Sequence, residues 1–255
     1  MSILASELKA FAATSHPTAD AQNSGGPIQD DGHASGGYLV EYTDIAANDD
    51  LEYVSDGADT RNAVVDGRDA AGVAVQETKT LNGVTTVNGT QVFERVSRIE
   101  LSAKDAARTA TVKRQPGGAT VKALGINIRG VTRTFIGATT PAAGSTKRYE
   151  LVYLKNTNGT LTLTTAQVRL TTDPALKIKM AVRGSKGDHA TALTDRVQAT
   201  PPESLTFVDD NTYQAVPTNT LAAGERIGVW VEQTLTSGDA SFKDTFTLEL
   251  SGNTT

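Results

Sequence analysis

The chain has 255 residues and carries 24 lysines and arginines against 29 aspartates and glutamates, a formal net charge of -5 at pH 7. It contains no cysteine, which excludes disulfides, cysteine-ligated metal sites and a thiol nucleophile. The length predicts one or two domains. The acidic balance argues against a nucleic-acid partner, because nucleic-acid-binding domains usually carry a basic surplus.

Apolar residues make up 38% of the chain and aromatic residues only 5%, which predicts thin cores because aromatic side chains bury the most area. Threonine is abundant, and as a β-branched residue it favours strands over helices. We therefore expect a mainly β protein. No apolar run is long enough to predict a membrane span. The first residues lack the basic and apolar regions of a signal peptide, so we expect synthesis in the cytoplasm and no membrane partner.

Residues 1–37 predict a short helix followed by an extended arm. In residues 3–13, ILASELKAFAA, the side chains of Leu4, Leu8 and Phe11 recur at helical spacing and form one apolar side. The residues that follow are mostly small or polar and offer little to bury. An isolated helix of this length is marginal in water. We therefore expect Leu4, Leu8 and Phe11 to bind a neighbouring subunit.

From Tyr38 the pattern changes to short alternating runs separated by turn residues. Residues 61–114 predict four strands, with hairpin turns at Asn82-Gly83 and Asn88-Gly89. The apolar residues of QVFERVSRIEL fall on both faces, so the register of that strand is ambiguous. The segment Gln115-Pro116-Gly117-Gly118 stops any strand and predicts a domain boundary. This places a first β-sandwich domain at residues 38–117.

Residues 118–255 predict a second β-sandwich domain with longer strands. Residues 147–156, KRYELVYLKN, carry apolar side chains on both faces, as a central strand does. Asn156 to Gly159 predict a turn, after which TLTLTTAQVRL is expected to return antiparallel. Short strands separated by turns are typical of sandwiches and jelly rolls. The predicted fold is therefore mainly β, with two tandem Ig-like or jelly-roll-like sandwiches behind the helix and arm.

The sequence contains no motif that indicates catalysis or a cofactor. His16, His33 and His189 lie among small and polar residues, away from metal-ligand spacing, and are expected to be solvated. Acidic pairs such as Asp209-Asp210 could bind calcium with help from backbone carbonyls, but a solvated turn is the simpler interpretation. Nucleotide, serine-hydrolase and zinc-protease patterns are missing. We expect no enzyme activity, no cofactor and no metal.

Two segments resemble structural proteins of tailed bacteriophages. Residues 66–103, DGRDAAGVAVQETKTLNGVTTVNGTQVFERVSRIELSA, resemble a segment in which a G-D-A-x-G hairpin and an ET-x-T-x-x-G-T strand precede an F-x-x-V strand. Residues 139–170, TTPAAGSTKRYELVYLKNTNGTLTLTTAQVRL, with the opening MSILASELKAF, resemble a second group of phage virion proteins. In that group an arginine usually follows the tyrosine, where this chain has Glu150. Both patterns are β scaffolds without catalytic residues.

The resemblance implies a virion component that acts by assembly. Its partners would be major capsid, tail or baseplate subunits, together with further copies of itself in a symmetric oligomer. A head decoration protein and a tail or baseplate protein remain equal alternatives. A carbohydrate-binding or adhesin module for a host-surface glycan is the competing interpretation, and it predicts that Tyr38, Tyr42, Tyr53 and Tyr213 are exposed on one face. A glycan-degrading enzyme would need two convergent carboxylates in a cleft and ranks last.

Overall fold

The computed structural model describes residues 2–41, 45, 48–173, 175–239 and 245–254, and strands dominate this part of the chain. Strands account for 47% of the residues, and no described helix reaches seven residues. None of the described helices is long and apolar enough to cross a membrane. The mainly β class predicted from composition is therefore confirmed.

Nineteen strands and three single-turn 3₁₀ helices make up the described elements. The strands are β1 (Leu8–Ser15), β2 (Ser24–Ile28), β3 (Tyr38–Leu39), β4 (Leu51–Ser55), β5 (Asn62–Arg68), β6 (Ala74–Thr80), β7 (Val87–Asn88), β8 (Arg95–Leu101), β9 (Ala110–Arg114), β10 (Thr120–Leu124), β11 (Gly130–Thr132), β12 (Ser145–Asn156), β13 (Leu163–Thr172), β14 (Ile178–Val182), β15 (Ala192–Leu193), β16 (Gln214–Ala215), β17 (Thr220–Leu221), β18 (Arg226–Thr236) and β19 (Thr247–Thr254). The 3₁₀ helices are Ala5–Glu7, Pro202–Ser204 and Pro217–Asn219.

The chain divides into two units that differ from the predicted domains. Unit 1 combines Met1–Ile28 with Thr134–Thr255, and unit 2 is Gln29–Arg133. The sequence predicted limits at 1–37, 38–117 and 118–255. The N-terminal residues share a unit with the C-terminal half because their strands pair with strands far along the chain. Unit 1 is therefore built from two segments that are far apart in the sequence.

The predicted N-terminal helix is wrong, because residues 8–15 form strand β1. β1 pairs antiparallel with β12 over residues 8–12, and only Ala5–Glu7 is helical. A helix of this length gains little by itself, whereas pairing with β12 satisfies the backbone and places Phe11 and Ala12 where they are fully buried. Tertiary pairing therefore overrides the helical spacing of the apolar residues.

The first sheet of unit 1 has the strand order β14-β18-β12-β1, with β2 paired to β1 and β15 paired to β2. β12 lies between β18 and β1, and its residues 148–154 are all buried. A strand covered on both faces needs apolar side chains in both alternating sets. The central position predicted for residues 147–156 is confirmed.

The second sheet of unit 1 is built around β13. This strand pairs with β19 on one side and with β16 and β17 on the other. It does not return alongside β12 as predicted, because the turn after Asn156 leads the chain into a different sheet. The buried Asn156 side chain fixes this turn by donating from Nδ2 to the carbonyls of Leu161 at 2.9 Å and Leu221 at 3.0 Å.

Unit 2 contains one sheet in the order β3-β11-β8-β5-β6 and another in the order β10-β9-β4-β7. A bulge resolves the ambiguous register of β8. The pairing with β5 shifts between Asp66 and Gly67, so Val96 and Ile99 are both buried although residues three positions apart face opposite sides of a regular strand. A Cβ atom at Gly67 would overlap the Arg95 carbonyl, so this close approach requires glycine.

The segment Gln115 to Gly118 lies inside unit 2. It forms the turn between β9 and β10, which pair with each other in antiparallel fashion. The Gly118 N–H donates to the Arg114 carbonyl at 2.8 Å. The proline and glycines that indicated a domain boundary therefore make a hairpin turn.

Candidate functional site

The structure separates the three residues predicted to bind a partner. Leu4 is 59% exposed and Leu8 is partly exposed, whereas Phe11 is fully buried in β1. The Lys155 ammonium covers the Phe11 ring at 6.0 Å from its centroid. Phe11 therefore belongs to the core of unit 1 and cannot contribute to an exposed docking face.

A cluster of buried charges in unit 1 escaped the sequence analysis. Arg196 and Glu150 are both 0% exposed, and Arg196 Nη1 lies 2.8 Å from Glu150 Oε1. Glu150 also accepts the N–H of Phe135 at 3.0 Å, and His16 Nε2 lies 3.8 Å from its second oxygen. Burial raises the pKa of Glu150, against the opposing effects of His16 and Arg196.

Asp20 adds a second carboxylate to this cluster from the loop after β1. It accepts hydrogen bonds from Arg148 Nε at 2.7 Å, from Arg148 Nη2 at 2.8 Å and from Arg196 Nε at 3.0 Å. The Thr139 hydroxyl donates to it at 2.9 Å. Burial alone would raise the pKa of Asp20, but the hydrogen bonds from Arg148, Thr139 and Arg196 hold it well below its usual range.

The buried charge cluster (Asp20, Arg148, Glu150 and Arg196) ties distant parts of unit 1 together. Asp20 follows β1, Arg148 and Glu150 lie on β12, and Arg196 follows β15. A buried charge without its partner is strongly destabilising, whereas here two arginines face two carboxylates. The arrangement therefore acts as a structural tie that fixes the N-terminal loop against β12.

A second polar group surrounds Trp230 in β18. Glu203 Oε1 accepts hydrogen bonds from Trp230 Nε1 at 2.9 Å and from Arg183 Nε at 2.8 Å. His189 Nε2 lies 3.4 Å from the same oxygen, and its ring packs edge-on against Trp230. Burial, followed by the charge of Arg183, lowers the pKa of His189. The prediction of a solvated histidine is therefore wrong for His189, which is a packed group, and for His16, whose side chain is 9% exposed beside Glu150.

The acidic pairs and the remaining loop residues take part in turns and surface ion pairs. Asp209 lies 3.0 Å from Lys179 Nζ with both side chains largely exposed. Asp30 accepts the N–H groups of Gly32 and His33, which closes a loop. Within the described ranges, no group of three or more histidines and acidic residues could hold a metal ion.

The tyrosines expected for a glycan-binding face do not form one. Tyr53 is fully buried in β4, Tyr38 is partly buried and Tyr213 is 43% exposed. Tyr42 lies outside the described residues. Tyr213 is covered on one side by the Arg169 guanidinium at 4.6 Å from the ring centroid. With Tyr53 in the core, the shared exposed face that the adhesin interpretation predicts is not made by these four side chains.

Tyr53 instead supports the last strand of the first sheet in unit 2. Its hydroxyl donates to Glu77 Oε2 in β6 at 2.8 Å, while Glu77 Oε1 accepts the N–H groups of Thr90 at 2.7 Å and Gln91 at 3.2 Å. Lys79 Nζ lies 3.4 Å from the same carboxylate. Burial alone would raise the pKa of Glu77, but these donors lower it. The contacts hold β6 firmly in place.

β6 itself is an open sheet edge. It ends the strand order and pairs with β5, with no second strand beside it in the described part of the chain. The Leu81 N–H donates to the Arg61 carbonyl at 2.9 Å, so by alternation Gln76, Thr78 and Thr80 direct their N–H and C=O groups away from β5. These three residues are also exposed. We call this strand edge, residues 74–80, the β6 edge.

No protein-family model, no curated protein and no solved structure matches this chain.

Proposed function

We propose that the chain is a non-enzymatic structural component of a tailed-phage virion, either a capsid decoration protein or a tail or baseplate protein, that acts by subunit assembly. The β6 edge is the observation that carries the proposal. Residues 66–103, which resemble phage structural proteins, contain this edge, the strand β8 and the last three residues of β5, the strand that pairs with the edge. We further propose that the two sheets of each unit pack as a sandwich, since both sheets of each unit supply fully buried side chains.

An open edge favours assembly because its unpaired backbone groups form a ready template for another strand. Other proteins often protect such an edge with charged side chains, bulges, prolines or a covering loop. β6 carries one lysine, Lys79, whose ammonium is held against Glu77 of its own chain. β6 contains no proline, and the contacts of Glu77 hold it in an extended conformation. It therefore offers a preorganised strand, which reduces the ordering cost of association.

The sequence of the β6 edge is complementary to itself, so we assign a second copy of the chain as its occupant. A twofold axis at Thr78 would place Thr78 opposite Thr78 of the second copy in a hydrogen-bonded pair. Glu77 of each copy, whose buried carboxylate Lys79 of its own chain already contacts, then lies opposite Lys79 of the other copy, so each carboxylate would face two lysines. Opposite charges and threonine pairs are among the favourable cross-strand pairs. Moving the axis to Gln76 would lose both charge pairs.

A cysteine cross-link tests this register, and the cysteine-free chain gives a clean background. In the Thr78→Cys variant the two introduced residues should face each other with Cα atoms about 5.5 Å apart, within the range of about 4.4–6.8 Å for disulfides. Mild oxidation should yield a covalent dimer on a non-reducing gel. In the Gln76→Cys control the corresponding residues would be more than about 13 Å apart. Equal cross-linking of both variants, or none, would contradict the twofold register.

The Thr78→Pro variant should abolish self-association without unfolding unit 2. Proline removes the N–H that points away from β5, and edge strands tolerate proline at such positions. The Thr78→Ala control keeps the N–H and should still assemble. Molar mass from light scattering over a concentration series measures the association, and the melting temperature checks the fold. A wild-type chain that stays monomeric at all concentrations would overturn the assignment of the β6 edge.

The virion assignment is tested on particles. Quantitative mass spectrometry of purified, DNA-filled particles from a phage that encodes this chain should find it at a fixed copy number. An electron-microscopy map then decides between head and tail by its position. Absence from the purified particles would overturn the virion proposal, whereas the cross-linking experiment judges the β6 edge separately.

A further inference from the structure

Three Asn-Gly pairs occur in the chain, at Asn82-Gly83, Asn88-Gly89 and Asn158-Gly159. In such a pair the backbone nitrogen of glycine can attack the asparagine carboxamide, because glycine has no side chain to obstruct the approach and adopts many backbone conformations. The reaction needs a glycine N–H that is not held in another hydrogen bond. The structure distinguishes the three pairs on this point.

The first two pairs are held by the fold of unit 2. The Gly83 N–H donates to the Asp59 carbonyl at 3.0 Å, and the Gly89 N–H donates to the Leu51 carbonyl at 2.7 Å. Gly89 is also buried. Gly159 in unit 1 is exposed, and its N–H makes no hydrogen bond to any described residue. The nucleophile is therefore available at Asn158-Gly159.

Hydrogen bonds hold both the oxygen and the nitrogen of the Asn158 carboxamide. Its Oδ1 accepts the N–H groups of Thr160 at 2.9 Å and Leu161 at 2.7 Å. Its Nδ2 donates to Glu7 Oε1 at 2.9 Å. Two N–H donors at a carbonyl oxygen stabilise the negative charge that develops there during nucleophilic attack. The turn therefore presents a polarised carboxamide next to a backbone nitrogen that no described residue holds in a hydrogen bond.

We propose that Asn158 is a spontaneous deamidation site whose conversion loosens the N-terminal segment from β12. The Gly159 nitrogen loses its proton and bonds to Cγ of Asn158, the Cγ–Nδ2 bond breaks, and ammonia leaves with the proton. Water then opens the resulting succinimide at either carbonyl and gives aspartate or isoaspartate. The net reaction consumes one water and releases one ammonia.

The product places two negative charges where a hydrogen bond was. The new carboxylate at position 158 faces the Glu7 carboxylate, which lies 2.9 Å from Nδ2 in the intact protein. Glu7 marks the start of the β1–β12 pairing, since its carbonyl accepts the Thr157 N–H at 2.7 Å and the Thr157 hydroxyl at 2.8 Å. Repulsion at this point opens the pairing from its N-terminal end.

The site is tested by ageing the purified full chain in mildly alkaline buffer and mapping its peptides by mass spectrometry. We expect aspartate and isoaspartate to accumulate at residue 158 well before residues 82 and 88. The Gly159→Ala variant should suppress the conversion, and the structure leaves open space for the added Cβ. Conversion at residue 82 or 88 at the same rate, or an intact Asn158, would overturn the proposal.

The consequence is tested with a double-mutant cycle that does not depend on ageing. The Asn158→Asp variant should increase hydrogen exchange in peptides covering residues 2–12 by about two- to fivefold, the effect expected of one surface charge pair. In the Glu7→Gln background the same substitution should have little effect, because the opposing charge is gone. Unchanged exchange in Asn158→Asp, or equal effects in both backgrounds, would contradict the coupling to Glu7.

Discussion

Replacing Arg196 with methionine should lower the free energy of unfolding by about 3–5 kcal/mol, because it leaves a buried carboxylate without its partner. Glu150 is 0% exposed and accepts a hydrogen bond from Arg196 at 2.8 Å. Methionine fills a similar volume, so the loss measures the charge rather than a cavity. Chemical denaturation at neutral pH gives the difference.

Two further variants separate the charge effect from a general loss of stability. Adding Glu150→Gln to Arg196→Met should recover part of the loss, since no buried charge then lacks a partner. Lys179→Met removes a largely exposed ion pair with Asp209 and should cost no more than about 1 kcal/mol. If Arg196→Met costs as little as Lys179→Met, the cluster does not stabilise unit 1 as argued.

Replacing Asp20 with asparagine should lower the free energy of unfolding at neutral pH by about 2–3 kcal/mol. It should also make that free energy change less as the pH falls. Hydrogen bonds from Arg148, Thr139 and Arg196 hold the folded-state pKa of Asp20 well below its usual range, although burial alone would raise it. A carboxyl group with a lowered folded-state pKa stabilises the protein at pH values above its unfolded-state pKa of about 4. That contribution is lost as the pH falls towards the folded pKa, because the unfolded state binds the proton more readily.

Melting temperatures measured from neutral to strongly acidic pH test this sign. The wild-type curve should fall below about pH 4 more steeply than that of Asp20→Asn. Glu150→Gln should make the loss of stability in acid steeper than in the wild type. Burial raises the folded-state pKa of Glu150, so in the wild type this group binds a proton more readily in the folded state and offsets part of that loss. Identical pH profiles for wild type and Asp20→Asn would contradict the assignment of Asp20 as the acid-sensitive group.

Local patterns predicted the β class, the turn after Asn156 and the central strand β12 because each depends on neighbouring residues. The N-terminal strand was not predictable in this way. Leu4, Leu8 and Phe11 fit helical spacing, and the strand forms only because β12 lies beside it. The register of β8 likewise depends on a bulge in its pairing with β5. The sequence of β8 alone does not indicate that bulge.

The buried charge cluster could not be found by reading along the chain, because its members are far apart. Asp20 and Arg148 are separated by 128 positions and Glu150 and Arg196 by 46. One signal was present, namely an arginine and a glutamate within the apolar run of β12. Charged residues in a strand buried on both faces need partners, which indicates a cluster without identifying it.

The pairing of β1 with β12 also determines when unit 1 can form during synthesis. Unit 2 is a continuous segment and can fold as soon as Arg133 has left the ribosome. β1 is made first, but its partner β12 ends only at Asn156, and β13 still needs β19, which ends at Thr254. Until residue 156 has been made, β1 can pair only with its other neighbour, β2, and the edge that faces β12 stays open while all of unit 2 is translated.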